Sequence, residues 1–374
     1  MKLLRYLVLI LILCNIPGIV LVGYGTSAGS FFSYLSFLLL LLFYFTGKRH
    51  KTAWPFVLFG ICFFVISGLT FIDDEKTFYI DFVKYLLLVI CGGELARKTK
   101  LSELYILLLV GALSILVNAV FFPLDYGRYS GFYLDPNSAG FLCLIGCALS
   151  FGLKNEKWKL IGLFIFTFCG VLTFSRTFFL LWAILILISI FQSGKNLKIF
   201  TLGIASIVLL LSVAALLKLN TVRLSMVDSV LNNNASEQTI EEGSRRNTWA
   251  MYYDRVFESP ILGNGYQTFT GAPGVDNNSI GVHNNYLRII GEAGVLPFFI
   301  FIAIYVFLLV KSLKTFKSKV HLTLLAISLL ALHLTNHNFD TISHVTFVSI
   351  WLYFRLTLTE DNPIEEEQKQ LSTL

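Results

Sequence analysis

The sequence predicts an all-α, polytopic integral membrane protein of about twelve transmembrane helices, with one long outer loop that contains a short helix. Three observations carry this expectation. The 374 residues are 56% hydrophobic and only 14% charged, with a mean hydropathy of +0.73, whereas soluble chains carry about a quarter charged residues. The apolar stretches run to roughly 16–20 residues without alternation, which suits helices in lipid and not a barrel. Basic residues fall in every second connection, as membrane insertion demands.

In order, the candidate spans are residues 3–22, 28–46, 54–72, 78–93, 103–122, 138–153, 158–174, 177–192, 198–217, 291–310, 320–335 and 342–358. The first follows Lys2 and Arg5 and lacks a small-x-small cleavage site, so a retained helix is expected, not a signal peptide. The fourth is interrupted by Asp81 and Lys84, three apart on one helical face and therefore expected to pair inside the bundle. The six cysteines (Cys14, Cys62, Cys91, Cys143, Cys147, Cys169) all lie in apolar runs. None has ligand or CxxC spacing, so they count as small apolar fillers.

With a cytoplasmic N-terminus, the inside connections hold Lys48, Arg49 and Lys51; Arg97, Lys98 and Lys100; Lys154, Lys157 and Lys159; Lys195 and Lys198; and Lys311, Lys314, Lys317 and Lys319. The short outer connections are nearly bare. A missed or invented span would invert this pattern downstream. The exceptions are mostly arginines: Arg128, Arg176, Arg223, Arg245, Arg246, Arg255 and Arg288 all fall outside. The planar guanidinium suits bidentate phosphate contacts; the competing reading is ordinary pairing with carboxylates such as Asp254, Glu258 and Glu292.

The chain divides into spans over 1–217, a long outer loop over 218–286, spans again over 287–358 and a solvated cytoplasmic tail over 359–374. Within the loop, Asn232 to Ser236 is polar. Ser244 suits an N-cap and Pro260 a stop, which predicts an external helix with Trp249, Tyr253 and Phe257 on one face. Arg245 lies at its start, where the helix dipole favours anions. Gly263-Asn264-Gly265 predicts a turn. His283, just before the tenth span, is placed to act as a general base near neutral pH, although a single interfacial histidine is more often structural; His337 and His344 near the outer ends of the last two spans remain alternatives. Arg176 follows a very short turn and must sit at the outer boundary, where it is costly unless it faces a cavity or an anion. Arg128, Tyr129 and Asp135-Pro136-Asn137 suggest a turn leading into a helix start. No Asp/Glu cluster suited to Mg²⁺ is evident, and no cofactor is expected.

Ser175-Arg176-Thr177, Ser244 to Trp249 as Ser-Arg-x3-Trp, Gly263-x-Gly265, and His283-Asn284-x-Tyr286-Leu287 with Gly291-Glu292-x-Gly294 occur in that order. This set resembles the O-antigen polymerase and O-antigen ligase superfamily, a GT-C-type glycosyltransferase group, by motif over roughly residues 125 to 300 and by topology over the whole chain. The resemblance implies an enzyme of the bacterial cytoplasmic membrane acting at its periplasmic face on an undecaprenyl-diphosphate-linked glycan. It implies that Arg176 and Arg245 hold the diphosphate and that His283 is the base or positions the acceptor. Arg246, Arg128, Arg288, Asn284 and Glu292 follow as further substrate-binding candidates. A metal-independent, inverting transfer is expected, with membrane lipids, a chain-length regulator and a flippase as partners and no nucleic acid. Repeat-unit polymerase is the favoured reading. A ligase to lipid A-core, or a protein O-oligosaccharyltransferase, is the alternative, and a polysaccharide or lipid transporter is the alternative of another class; against the last, no repeat relates the two halves.

Overall fold

The computed structural model describes residues 2–122, 127–212, 245–272, 275 and 280–358. The expected polar stretch Asn232 to Ser236, the capping residue Ser244 and the tail over 359–374 lie outside them, as does the side chain of Arg246. Among the described residues the chain is helical, with no strand. The α-helices are α1 Lys2–Leu13, α2 Ile16–Tyr24, α3 Thr26–Thr46, α4 Trp54–Thr70, α5 Glu75–Lys98, α6 Leu101–Phe121, α7 Pro136–Ser150, α8 Glu156–Leu172, α9 Arg176–Gln192, α10 Leu197–Ser212, α11 Arg245–Glu258, α12 Asn285–Ala293, α13 Val295–Leu313, α14 Val320–His333 and α15 Ser343–Thr357.

Among the described residues, each apolar segment marked in the sequence is mostly helical, the ninth being described only to residue 212. Among the described residues three helices, α3, α6 and α13, are long and apolar enough to cross a membrane, with a fourth span if the bent pair α1–α2 counts as one. That bend corrects the straight first helix expected over 3–22. Its two parts meet at 60°, with Pro17 in the first turn of α2 and Asn15 left-handed at φ 49°. Proline has no N–H to continue the ladder and crowds the preceding turn, so the helix breaks there. The fourth segment, weakest by hydropathy, is instead part of the 24-residue helix α5, started by the Asp74 side chain, which accepts from Thr77 N. Asp81 and Lys84 form no ion pair with each other. Asp81 accepts a 2.8 Å hydrogen bond from Tyr266 Oη, and Lys84 lies over the ring of Tyr34.

α7 and α15 are almost wholly buried and form the centre of the bundle. α7 packs against α6, α8, α9 and α14, while α5 runs along α15. The core is aromatic: Phe59, Phe63, Phe301 and Phe339 pack with centroids about 5–6 Å apart, the range in which edge and tilted ring contacts are attractive. All six cysteines are free, and five are buried.

Hydrogen bonds sort the connections into two sets. At one end, Arg5 reaches Glu103 and Lys98 O, Lys98 reaches Lys48 O, Arg355 and Trp351 both reach Thr99 O, and Gln192 reaches Lys317 O. At the other, Tyr266 N reaches Phe71 O, Tyr129 N reaches Leu172 O, and Arg288 reaches His337 O. The first set contains the lysine-rich connections and the second Arg288 and the loops next to Arg128 and Arg176, so the charge alternation along the chain corresponds to two ends of one bundle.

Candidate functional site

Four helix N-termini contribute to the arginine-rich end. Asp135 caps α7, its Oδ2 accepting from Ser138 N at 2.8 Å, and Pro136 occupies the first turn. Ser175 caps α9 and accepts from Phe178 N, which makes Arg176 the first helical residue. Arg245 begins α11. Asn284 caps α12, its Oδ1 accepting from Tyr286 N at 2.9 Å and Leu287 N at 3.2 Å. Unsatisfied N–H groups and the dipole give each start a partial positive charge. The Ser-Arg-Thr and His-Asn motifs therefore each pair a helix cap with a basic or ionisable neighbour. The cap sets the helix start, and its neighbour projects from it.

α7 and α9 are fastened together at these starts. Asn137 Oδ1 accepts from Ser175 Oγ at 3.1 Å and from Arg128 Nη2 at 3.3 Å, while Arg128 Nε donates to Thr173 O at 3.0 Å. Arg128 is buried and committed to joining these segments. Arg288 is more completely engaged: its fork grips Asp340 with bonds of 2.7 and 2.9 Å, Nη1 also reaches His337 O, and Nε lies 3.1 Å from Glu292 Oε2. All three side chains are buried. Glu292 Oε1 accepts from Phe269 N, so this carboxylate fixes the loop before α12. The geometry thus gives Arg128, Arg288, Asn284 and Glu292 architectural bonds.

Arg176 and Arg245 differ. Neither makes a carboxylate ion pair among the described residues, and Arg176 is exposed. They lie within electrostatic reach of one another. The Arg245 pKa is lowered, first by burial and then by the Arg176 charge, with Asp135 acting in the opposite sense. His283 belongs to the same group. Its pKa is below the ordinary 6.5, chiefly through partial burial and next through Arg245, again opposed by Asp135. His283 is an exposed residue, and its ring meets the His337 ring edge-to-face at 4.5 Å. His283 also has φ 47°, a left-handed backbone unusual for histidine. Among the described residues the two guanidinium groups lie within reach of each other with no carboxylate ion pair, and Asp135 is the acidic group that acts on Arg245 and His283; such an arrangement attracts anions. A neutral imidazole beside them can accept a proton.

The glycine motifs prove to be one clasp. Asn264 N donates to Gly291 O at 2.7 Å, Gly265 N to Glu292 O at 3.0 Å, and Val295 N to Pro260 O at 3.0 Å. Gly263, Gly265 and Gly294 all have positive φ. The turn satisfies the last carbonyls of α12 and breaks the expected helix 291–310 at Gly294, so α12 and α13 are separate. The external helix ends at Glu258, close to the stop predicted at Pro260, and Tyr252 and Val256 pack inward with Phe269 and Val282. Tyr253 and Phe257 are exposed.

Asp135 and Asn137 were marked only as a turn leading into a helix start, while the bond from Asn137 to Ser175, the part of Asp340 and the contact of His337 with His283 were not evident from local motifs. Asp340 shares a loop with His337 but lies 52 residues from Arg288, and no short-range spacing reveals such a pair.

The fold and site together define a multi-pass helical membrane protein with a cation–imidazole centre at one end of its bundle. Residues 161–302 match the family model described as O-antigen ligase, so this segment is similar to that family. The match runs from α8 into α13 and includes Arg176, Arg245 and His283. It supports membrane glycosyl transfer in surface-polysaccharide synthesis. No curated protein matches the chain.

Proposed function

We propose that the protein transfers a glycan from an undecaprenyl-diphosphate carrier to an acceptor hydroxyl at the outer face of the cytoplasmic membrane, as a repeat-unit polymerase. The observation that carries this reading is the placement of Arg176 and Arg245, neither with a carboxylate ion pair among the described residues, beside His283. The diphosphate lies against the two guanidinium groups and the helix starts. His283 Nε2 or Nδ1 takes the proton of the acceptor hydroxyl as its oxygen attacks the anomeric carbon. The bond from that carbon to the phosphate oxygen breaks with inversion, and the carrier leaves as the diphosphate. The arginines neutralise the charge that develops on it, each such contact being worth roughly 10²–10³ in rate. They take the part that a metal ion plays elsewhere, so activity of the purified protein is expected to survive chelators.

Complementation of polysaccharide synthesis by Arg176→Ala, Arg245→Ala and His283→Ala, each matched for membrane abundance, tests the reading. Loss of long chains is expected, with turnover in purified protein falling about 10²–10⁴-fold for the histidine. Wild-type chains in all three would overturn it. The description of the matching family model favours ligation as the second reading. Single repeats left on lipid A-core denote a polymerase, and unattached long chains on the carrier denote a ligase.

A further inference from the structure

A cavity of about 160 Å³ lies between the α1–α2 break, α3, α5 and the loop joining α14 to α15, away from the arginine pair. Its walls include Ser36, Phe37, Asp81, Lys84, Asp340 and His344. So polar a lining inside a bundle this apolar is costly unless a polar occupant uses it. By volume it holds about five waters or one six-membered ring, since a dry cavity of about 150 Å³ accepts benzene.

We propose that this cavity is a subsite for one neutral sugar ring of the acceptor glycan, an inference that rests on the transferase reading. Asp81 and Asp340 retain lone pairs beyond those used by Tyr266 and Arg288 and can accept from sugar hydroxyls. The hydroxyl of Ser36 and the imidazole of His344 add further polar contacts, and Phe37 offers an apolar wall to the C–H face. Charge selects among sugars. Two carboxylates, Asp81 and Asp340, line the cavity against one lysine, Lys84, so a hexuronate is disfavoured against a neutral hexose or N-acetylhexosamine. The position also fits. His337 touches the His283 ring, and three residues later the same loop lines the cavity through Asp340 and Thr341. Tyr266 joins the outer loop to Asp81 from the other side. An acceptor hydroxyl at His283 thus leaves a following ring of its chain within reach of the cavity.

The test is saturation-transfer NMR on the full chain in detergent, with methyl glucoside, methyl N-acetylglucosaminide and methyl glucuronide as probes. At least one neutral glycoside is expected to receive saturation, with the glucuronide at least tenfold weaker. Ser36→Leu, which fills the cavity, should abolish the signal, while His283→Ala should keep it. Asp81→Asn keeps the shape and removes a charge. It should weaken the neutral glycoside severalfold and narrow the gap to the glucuronide, and it serves where Ser36→Leu does not accumulate. No saturation of any glycoside in the wild type, or a signal unchanged in both variants, overturns the proposal. If Arg176→Ala and His283→Ala cells make normal chains while glycosides still bind, the transferase reading fails and the sugar site stands. If those cells lose long chains and no glycoside binds, the cavity assignment alone fails.

Discussion

His283 combines a left-handed backbone with surroundings that disfavour its protonated form. Strain of this kind costs about 1–3 kcal/mol and persists only where neighbours impose it. Because the folded pKa is lowered, the histidine contributes stability above pH 6.5 that is lost as pH falls through the folded value. The acid limb of the pH–rate profile should therefore lie below 6.5. Ring-proton NMR should find the His283 pKa raised by Arg245→Gln and lowered further by Asp135→Asn, a variant that keeps the α7 cap. Arg288→Met leaves two buried carboxylates facing one another and should destabilise the protein by about 3–5 kcal/mol, read as lost membrane abundance and lower Tm. The Arg176, Arg245 and His283 cluster was legible because each lies beside a cap or boundary that local sequence displays. Asp135 showed only its turn, since its electrostatic part depends on α11 and α12, far along the chain.

Among the elements, the clasp between residues 260–265 and the end of α12 depends on Gly294, with φ 76° and ψ −169°. That region is essentially closed to residues with a Cβ, and a Cβ there would fall on the Ile261 carbonyl. Gly294→Ala should cost at least about 3 kcal/mol and reduce thermal stability, with loss of activity following from a displaced α12. Hydropathy located the apolar helices because burial in lipid is a property of a short segment. It missed the breaks at Asn15 and Gly294, because both interrupt apolar runs without changing their hydropathy. Pro17 was a visible signal for the first. The second needed the knowledge that residues 260–265 dock there.

For the whole molecule, the two-ended sorting of connections makes orientation testable. Single cysteines in a cysteine-free background at positions 50, 155 and 317 should resist a membrane-impermeant thiol reagent in intact cells, and those at 74 and 176 should react. The opposite pattern would place the arginine centre in the cytoplasm. Orientation was legible because insertion counts charges loop by loop, whereas which loops meet depends on packing among helices distant in sequence. Order of synthesis adds a further consequence. Arg128, Asp135 and Arg176 emerge from the ribosome well before Arg245, His283 and Asp340, so a nascent chain ending at α10 carries half a centre. Two fragments divided between α10 and α11 should be inert alone and regain polysaccharide synthesis when co-expressed, which would make completion of translation the event that switches this protein on.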